Sequence, residues 1–177
     1  MRKVSNMAAS ASGKVTGSGH VSVSGPKATV EIKAFREGSV IPKKATESAA
    51  GYDLCAWAKD SFEETFLIPP HTVMVVPTGL NVNIPNGYEI QIRPRSGMAA
   101  KHCVTVLNTP GTIDAGFRGE IACILINHDA KESISFKKGD RIAQLVIQQV
   151  EKAEFIEVEE LPGSGRGSGG FGSTGVA

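Results

Sequence analysis

The sequence is poor in the residues from which metal clusters and disulfide frameworks are built. Its 177 residues include three cysteines and four histidines. Cys55, Cys103 and Cys123 stand apart in apolar or strand-like surroundings, without the paired spacing of a zinc site or a small disulfide-bonded domain. We therefore expect three reduced thiols in the core. The histidines show no metal-ligand spacing, and the local sequence indicates no catalytic set of Ser, His and Asp.

Long apolar runs and an excess of one charge are also absent. No stretch approaches the ~18 apolar residues that a membrane-spanning helix needs, so no membrane partner is expected. Nineteen Lys and Arg against eighteen Asp and Glu leave a net charge of +1, which argues against a broad surface for nucleic acid. Any phosphate chemistry must therefore rely on a few local cations. With 41% hydrophobic residues the chain can bury one core, and one folded domain is expected.

Both ends of the chain are predicted to lie outside this core. Residues 1–26 are rich in Ser, Gly and Ala and lack the apolar run of a secretory signal, so they are expected to form a disordered arm. We expect a cytoplasmic location, and an organelle or nuclear targeting role of this arm stays open. Residues 162–177 are rich in Gly and Ser and are predicted to form a flexible arm. The folded domain is therefore expected at residues 27–161.

Short runs of alternating apolar and polar residues, separated by Pro and Gly, predict an all-β sandwich or barrel-like domain. Half-buried strands are expected at 28–34, 72–76, 88–92 and 121–126, and a turn followed by a buried strand at 139–147. Only Ser96 to His102 has the pattern of a helical turn. Helix is therefore a minor component.

The Gly-rich tail carries residues that suit a nucleotide. Arg166 can bind a phosphate through two hydrogen bonds, Ser173 and Thr174 add hydroxyl donors, and successive glycines expose backbone N–H groups. Phe171 offers a flat face for a base. The tail does not fit the P-loop pattern, and flexible filler is the alternative interpretation. We favour a lid that becomes ordered on a triphosphate.

Two loops are candidates for phosphate binding and catalysis. Arg95, Ser96 and Gly97 follow the strand at 88–92, where an arginine, a hydroxyl and free amides could bind an anion; an exposed turn with a helix cap is the alternative. Asp114 lies between an apolar residue and a Gly-containing turn, where a partly desolvated carboxylate could orient a water molecule. Its alternative role is to bond its own backbone in a turn.

Three further polar residues stand out. Asn108 is either a turn former or a strand-edge amide that pairs with the edge of a pyrimidine. Asp53 lies at the start of an apolar strand, which is costly unless the carboxylate is paired or lies on an exposed face. Gln144 is the only plausible ligand contact in the otherwise structural segment at 139–147.

Taken in order, these five segments resemble the five signature motifs of the trimeric dUTPase family, from Ala49 to Gly175. The resemblance implies a distorted, jelly-roll-like β-barrel and a homotrimer whose active sites are built from neighbouring chains and closed by the C-terminal arm. It implies Mg²⁺-dependent hydrolysis of dUTP to dUMP and pyrophosphate. That reaction removes dUTP from the nucleotide pool and supplies dUMP for dTMP synthesis.

The resemblance also assigns roles on the phosphate side of the site. Arg95, Ser96 and Gly97 hold the phosphates and Gln144 assists them. Mg²⁺ sits mainly on phosphate oxygens and water, and Asp53 supports it through water. Asp114 orients the water that attacks the α-phosphorus, so Asp114, Asp53 and Arg95 form the expected catalytic set.

On the base side, the resemblance implies a β-hairpin from Asn108 to Phe117 that receives uracil and excludes the methyl group of thymine. The base-reading positions are Asn108, Gly111, Thr112 and Ile113. From the last motif, Arg166 grips the terminal phosphates and Phe171 stacks over the uracil. Gly172, Ser173 and Thr174 complete the set of substrate-binding residues.

One residue departs from the family pattern. Phe117 stands where the family commonly has tyrosine, the ring that lies against the deoxyribose and blocks a 2′-hydroxyl. We expect steric rejection of ribose to persist, with altered affinity or sugar selectivity. Two alternatives remain: a dCTP deaminase of the same fold, whose family lacks the Gly-rich closing motif, and a non-catalytic module that senses nucleotide.

Overall fold

A computed structural model of the chain describes residues 28–58 and 65–169. The arm predicted at residues 1–26 lies outside these ranges, as do Phe171, Gly172, Ser173 and Thr174. The described residues form eleven strands and one short helix, which confirms the predicted β-rich fold. The elements are β1 Glu31–Ala34, β2 Tyr52–Cys55, β3 Thr65–Ile68, β4 Val73–Pro77, β5 Leu80–Asn83, β6 Tyr88–Arg93, α1 Ser96–His102, β7 Val104–Val106, β8 Gly111–Ile113, β9 Ala122–Asn127, β10 Ile134–Lys137 and β11 Arg141–Gln149.

The strands pair in antiparallel fashion and enclose one apolar core. A four-stranded sheet has the order β2-β11-β6-β8, and a three-stranded sheet has the order β4-β9-β7. Two further sheets have two strands each, β1 with β5 and β3 with β10. Each sheet contributes fully buried side chains to the same cluster, among them Leu54, Ile68, Leu80, Ile90 and Leu125. The fold therefore presents the outer faces and ends of these sheets for function.

The sequence of the four-stranded sheet explains which of its side chains face outward. In β6 the buried Ile90 and Ile92 alternate with half-buried polar neighbours, as a strand with one apolar face requires. In β11 both Ile142 and Ala143 are buried, because the register shifts between Arg141 and Ala143 at a β-bulge. Beyond the bulge the alternation leaves Gln144 on the outer face.

The single helix of the described residues lies where the sequence predicted it. In α1 only Met98 is buried, and it fixes the helix to the core. The helix ends at Cys103, which adopts a left-handed conformation with φ 54° and donates its backbone N–H to the carbonyl of Met98. No helix in the described part of the chain has the length and apolar character needed to cross a membrane.

The prediction of three core thiols holds for two cysteines and is wrong for Cys103. All three are free, and Cys55 and Cys123 are buried, but Cys103 is exposed. The chain turns at Cys103 between α1 and β7, and the alternation of β7 then directs Val104 and Val106 inward. Burial raises the pKa of the Cys123 thiol to about 12 and also raises the pKa of Cys55, to which the nearby Asp53 carboxylate adds.

Candidate functional site

Asp53 binds two arginines at one end of the four-stranded sheet. Its Oδ1 atom accepts a hydrogen bond of 3.1 Å from Nε of Arg95, and its Oδ2 atom accepts one of 3.1 Å from Nη1 of Arg141. Nη1 of Arg95 also donates to the backbone carbonyl of Arg141 at 3.1 Å. Of the two interpretations of Asp53 from the sequence, the structure therefore supports the paired carboxylate.

Gln144 completes this group, which we call the arginine cluster: Asp53, Arg95, Arg141 and Gln144. The register places Gln144 opposite Asp53 on one side and opposite Arg93 on the other. Its Nε2 atom donates to the carbonyl of Pro94 at 2.9 Å, which ties β11 to the loop before α1. A Cβ at Gly51 would lie 2.5 Å from Oε1 of Gln144, so the glycine leaves room for the amide.

The arginine cluster can bind an anion because its arginines are already oriented. Among the described residues Nη2 of Arg95 has no hydrogen-bond partner, so a terminal donor is left for a ligand. Ser96 and Gly97 are exposed beside it in the first turn of α1. Arg141 received no role in the sequence analysis. Its position beside Gln144 in one motif was the available signal, but its pairing with Asp53 depends on the β2–β11 register.

The base-reading residues predicted from the sequence lie in the connection between β7 and β9, residues 107–121, which contains β8. Asn108 lies in an exposed turn at the start of this connection, not on a strand edge as one interpretation of the sequence had it. A Cβ at the buried Gly111 would lie 3.1 Å from Nδ2 of Asn108. Because position 111 has no side chain, the amide can lie close to the backbone of β8.

The β7–β9 connection differs from the hairpin that the resemblance implied. The chain does reverse at a turn in which the N–H of Phe117 donates to the carbonyl of Asp114 at 3.0 Å. However, β8 forms its ladder with β6, and in the described residues the leg after the turn adds no strand to β8. The segment is thus attached to the edge of the four-stranded sheet.

A pocket of about 280 Å³ lies beside this turn. Its lining includes Thr112, Ile113, Asp114 and Phe117 of the β7–β9 connection, together with Val75 of β4 and Ile124 of β9. Asp114 is exposed, and 40% of the surface of Phe117 is exposed. The pocket therefore brings together the predicted carboxylate and the predicted sugar-facing ring.

Glu120 anchors the second leg of the β7–β9 connection, a role that was not predicted from the sequence. Its Oε1 atom accepts a 2.8 Å hydrogen bond from the N–H of Gly79, and its Oε2 atom pairs with Nη2 of Arg36 at 2.6 Å. The Arg36 guanidinium in turn lies 4.3 Å from the ring of Trp57. These contacts hold the leg that follows Phe117 against the body of the domain.

Asp114 and the arginine cluster lie at opposite ends of the β6–β8 pair. Ile90 lies opposite Ile113 and Ile92 opposite Gly111, so Asp114 continues toward Glu89 while the chain leaves β6 toward Arg95. Arg95 lies six positions after Glu89, which corresponds to at most roughly 20 Å along the strand direction. Within one chain the structure therefore does not bring Asp114 and Arg95 together, whereas it does bring Asp114 and Phe117 together.

Arg166 lies in the exposed segment that follows β11. Its Nε atom donates to the carbonyl of Gly169 at 2.8 Å, in a turn where the N–H of Gly167 donates to Oγ of Ser164 at 3.1 Å. The segment leaves the sheet after Val150, whose N–H donates to the carbonyl of Gly87. Phe155 in this segment is 97% exposed, so at that point the tail does not pack against the described residues of its own chain.

Comparison of the sequence with known proteins places these features in a family context. The sequence model described as dUTPase matches residues 37–175. Over 146 residues the chain is 52% identical to the deoxyuridine 5′-triphosphate nucleotidohydrolase of Nautilia profundicola, covering 82% of this chain and 98% of the relative. It is 50% identical to the enzyme of the same name from Wolinella succinogenes over 149 residues, 84% of this chain and 95% of the relative.

Solved structures give the same result for the fold. A mutant dUTPase of Staphylococcus bacteriophage 80alpha with dUpNHpp is similar at a TM-score of 0.72 and 29% identity, covering 84% of this chain and 99% of that chain. A mutant dUTPase from phage phi11 of S. aureus, described for the coordination of a structural Mg(II) ion, is similar at a TM-score of 0.64 and 26% identity, covering 75% of this chain and 97% of that chain.

Proposed function

This chain belongs to the dUTPase family and hydrolyses dUTP to dUMP and pyrophosphate, and we propose that it does so in active sites that neighbouring chains build together. The observation that carries the proposal is the separation of the two halves of the machinery within one chain. The arginine cluster lies at one end of the β6–β8 pair and the Asp114 pocket at the other. The names of the relatives favour this hydrolysis over deamination of dCTP.

The arginine cluster is proposed as the phosphate-binding half. Asp53 holds Arg95 in place, and the guanidinium keeps a terminal N–H donor for a phosphate oxygen. Ser96 and Gly97 lie beside it, and Gln144 maintains the spacing through Pro94. Fixed donors of this kind stabilise charge that develops as pyrophosphate leaves, without reorganisation at the moment of reaction.

The Asp114 pocket is proposed as the half that positions the attacking water and the nucleoside. The Asp114 carboxylate would accept a proton from a water molecule while the oxygen of that water attacks the α-phosphorus. The bond between the α-phosphorus and the α–β bridging oxygen would break, and pyrophosphate would leave with that oxygen. Asn108, Gly111, Thr112 and Ile113 would read uracil beside it. The Phe117 ring, in the same pocket, would lie against the deoxyribose.

We propose Mg²⁺ as the metal of the reaction, entering on the triphosphate. The donor set fits this, because Mg²⁺ prefers oxygen ligands and keeps several waters, so one nearby carboxylate is sufficient. Asp53 would supply that carboxylate through the metal's water shell. The described residues offer no cluster of three or more His, Cys, Asp or Glu that could hold a metal. Bound Mg²⁺ would neutralise charge on the phosphate oxygens.

A homotrimer is proposed as the assembly that joins the two halves. The outer face of β4 and β9 supports self-association, because it carries Val73, Val75, Ile124 and Ile126 without a charged side chain between them. Val73 is 49% exposed and Val75 is 60% exposed in the single chain, although both are aliphatic. Exposed apolar surface of this kind marks an interface. The face adjoins the Asp114 pocket, since Val75 and Ile124 line that pocket.

The C-terminal arm is proposed to close the site over the nucleotide. Arg166 would contact the terminal phosphates, and its present bond to Gly169 is an exposed contact that a phosphate can replace. The proposed contacts of Phe171, Gly172, Ser173 and Thr174 lie outside the described residues and remain predictions. The exposed segment 151–163 would act as the linker that lets the arm extend from the end of β11 to the nucleotide.

The decisive experiment measures pyrophosphate release from dUTP and the other deoxynucleoside triphosphates in the presence of Mg²⁺. Asp114→Asn is expected to lower kcat for dUTP by about 10²- to 10⁴-fold, because the amide cannot accept the proton. Glu132→Gln is the matched control, since among the described residues this exposed residue forms hydrogen bonds only through its backbone. A parent chain without activity on dUTP, or an Asp114→Asn variant as fast as the parent, would contradict the proposal.

A further inference from the structure

Gly119 lies two residues after Phe117, on the second leg of the β7–β9 connection. A Cβ built at Gly119 would lie 2.7 Å from Cζ of the Phe117 ring and 3.0 Å from Cε2. The ring therefore occupies the space that a side chain at position 119 would fill. We infer that Gly119 is a specificity-determining position, because its missing side chain sets where the Phe117 ring lies and so how strongly dUTP is preferred over UTP.

The backbone gives no other reason for a glycine at this position. The glycines with positive φ among the described residues are 38, 79, 87, 139 and 167, so Gly119 has a conformation open to other residues. The three heavy atoms nearest to the added Cβ all belong to the Phe117 ring. A methyl group at position 119 would consequently displace the ring before it disturbed anything else.

The displacement is large on the scale of a substrate contact. Ordinary van der Waals contact begins at about 3.4 Å, so the ring must move by about 0.7 Å from its present 2.7 Å. The ring can move, because 40% of its surface is exposed and it lines one wall of the pocket that contains Asp114. A side chain at 119 therefore acts on the sugar-facing wall of the site without entering the core.

This inference rests on the proposed function, in which the Phe117 ring packs against the deoxyribose. A displaced ring no longer packs against the deoxyribose of dUTP. UTP packs less well against the ring in the parent, because its 2′-hydroxyl lies between the ribose and the ring, so displacement of the ring weakens UTP binding less. Gly119→Ala is therefore expected to lower kcat/KM for dUTP about tenfold, mainly through KM, as one methyl group does in a shaped pocket. The value for UTP changes less, so the ratio between the two substrates narrows.

The experiment measures kcat and KM on dUTP and UTP for the full chain, Gly119→Ala and Gly116→Ala. Gly116 is the matched control, since it lies in the same connection, has no positive φ, and an added Cβ would have no heavy atom within 4 Å. We expect the ratio of kcat/KM for dUTP to kcat/KM for UTP to be smaller than the parental value in Gly119→Ala and equal to the parental value in Gly116→Ala. Equal ratios in the two variants would overturn the inference.

Phe117→Ala, alone and with Gly119→Ala, separates the possible failures. If Gly119 acts through the ring, the added methyl leaves the ratio of the Phe117→Ala variant unchanged; a further change would overturn the inference. If Gly119→Ala alone does not fold, recovery of folding in the double variant supports the overlap, and no recovery refutes it. A parent inactive on dUTP means that the proposed function itself fails. If the parent is active and Phe117→Ala leaves the ratio of kcat/KM for dUTP to kcat/KM for UTP unchanged, the ring has no sugar-facing role. That result overturns the inference about Gly119 but not the proposed hydrolysis.

Discussion

Among the residues that the structure describes, Arg95 donates hydrogen bonds through two of its three guanidinium nitrogens, while Arg93, two residues earlier, donates to one strand neighbour. Nε and Nη1 of Arg95 reach Asp53 and the carbonyl of Arg141, each at 3.1 Å. Nε and Nη2 of Arg93 both donate to Oε1 of Gln91, at 3.0 Å and 2.6 Å. A lysine ammonium is a single point charge and cannot reproduce the planar geometry of Arg95.

Arg95→Lys is therefore expected to lower kcat/KM for dUTP by about 10- to 100-fold, the range for losing a hydrogen bond to a charged group. Arg93→Lys is the matched control and is expected to stay within a few-fold of the parent. Steady-state pyrophosphate release from dUTP with Mg²⁺ measures both. Equal losses in the two variants would show that Arg95 has no special part in phosphate binding.

At the scale of elements, α1 ends in a conformation that suits glycine better than cysteine. Cys103 has φ 54°, and a side chain in the left-handed region costs about 1 kcal/mol. The Cys103 side chain is exposed, so little packing is lost when it is removed. Cys103→Gly is expected to raise the free energy of unfolding by about 0.5–1 kcal/mol. Denaturant unfolding at a fixed protein concentration measures the change.

Lys101→Gly, in the same helix, is the matched control and is expected to lower the free energy of unfolding. Lys101 is an exposed residue in the last turn of α1, where glycine costs about 1 kcal/mol relative to good helix formers. If both glycines destabilise the protein equally, the left-handed residue carries no strain and the prediction for Cys103 is wrong.

The elements also show what could be predicted from the sequence. Alternation around Ile90 and Ile92 indicated β6, and the helical turn from Ser96 to His102 was found at its exact bounds because local pattern determines both. The exposure of Cys103 could not be predicted, since a left-handed residue outside Gly and Asn has no sequence signature. The pairing of Asp53 with Arg141 spans 88 residues and depends on a register with a bulge.

At the scale of the whole molecule, the resemblance predicted both the motifs of the site and their distribution over neighbouring chains. The resemblance supplied the order of the five motifs and their roles, which remain predictions. The structure adds an estimate of the separation: the pairing of β8 with β6 places Asp114 and Arg95 at opposite ends of the strand pair, at most roughly 20 Å apart. The two side chains therefore cannot contact each other within a single chain. In the proposed homotrimer, Asp114 of one chain would instead complete the site that contains Arg95 of a neighbouring chain, without any change of fold.

A shared site predicts that two inactive variants restore each other when their chains are mixed. Asp114→Asn retains an intact arginine cluster, and Arg95→Ala retains an intact Asp114 pocket, so a mixed assembly contains some sites with both intact halves. Random mixing of equal amounts, after unfolding and refolding together, should leave about a quarter of the sites complete. Pyrophosphate release from dUTP should therefore return to about a quarter of the parent rate. The control mixes Asp114→Asn with an Asp114→Asn, Arg95→Ala double variant, which cannot form a complete site and should stay inactive. If the first mixture is no more active than its separate components, then Asp114 and Arg95 act from the same chain, and the proposal of a shared site is wrong.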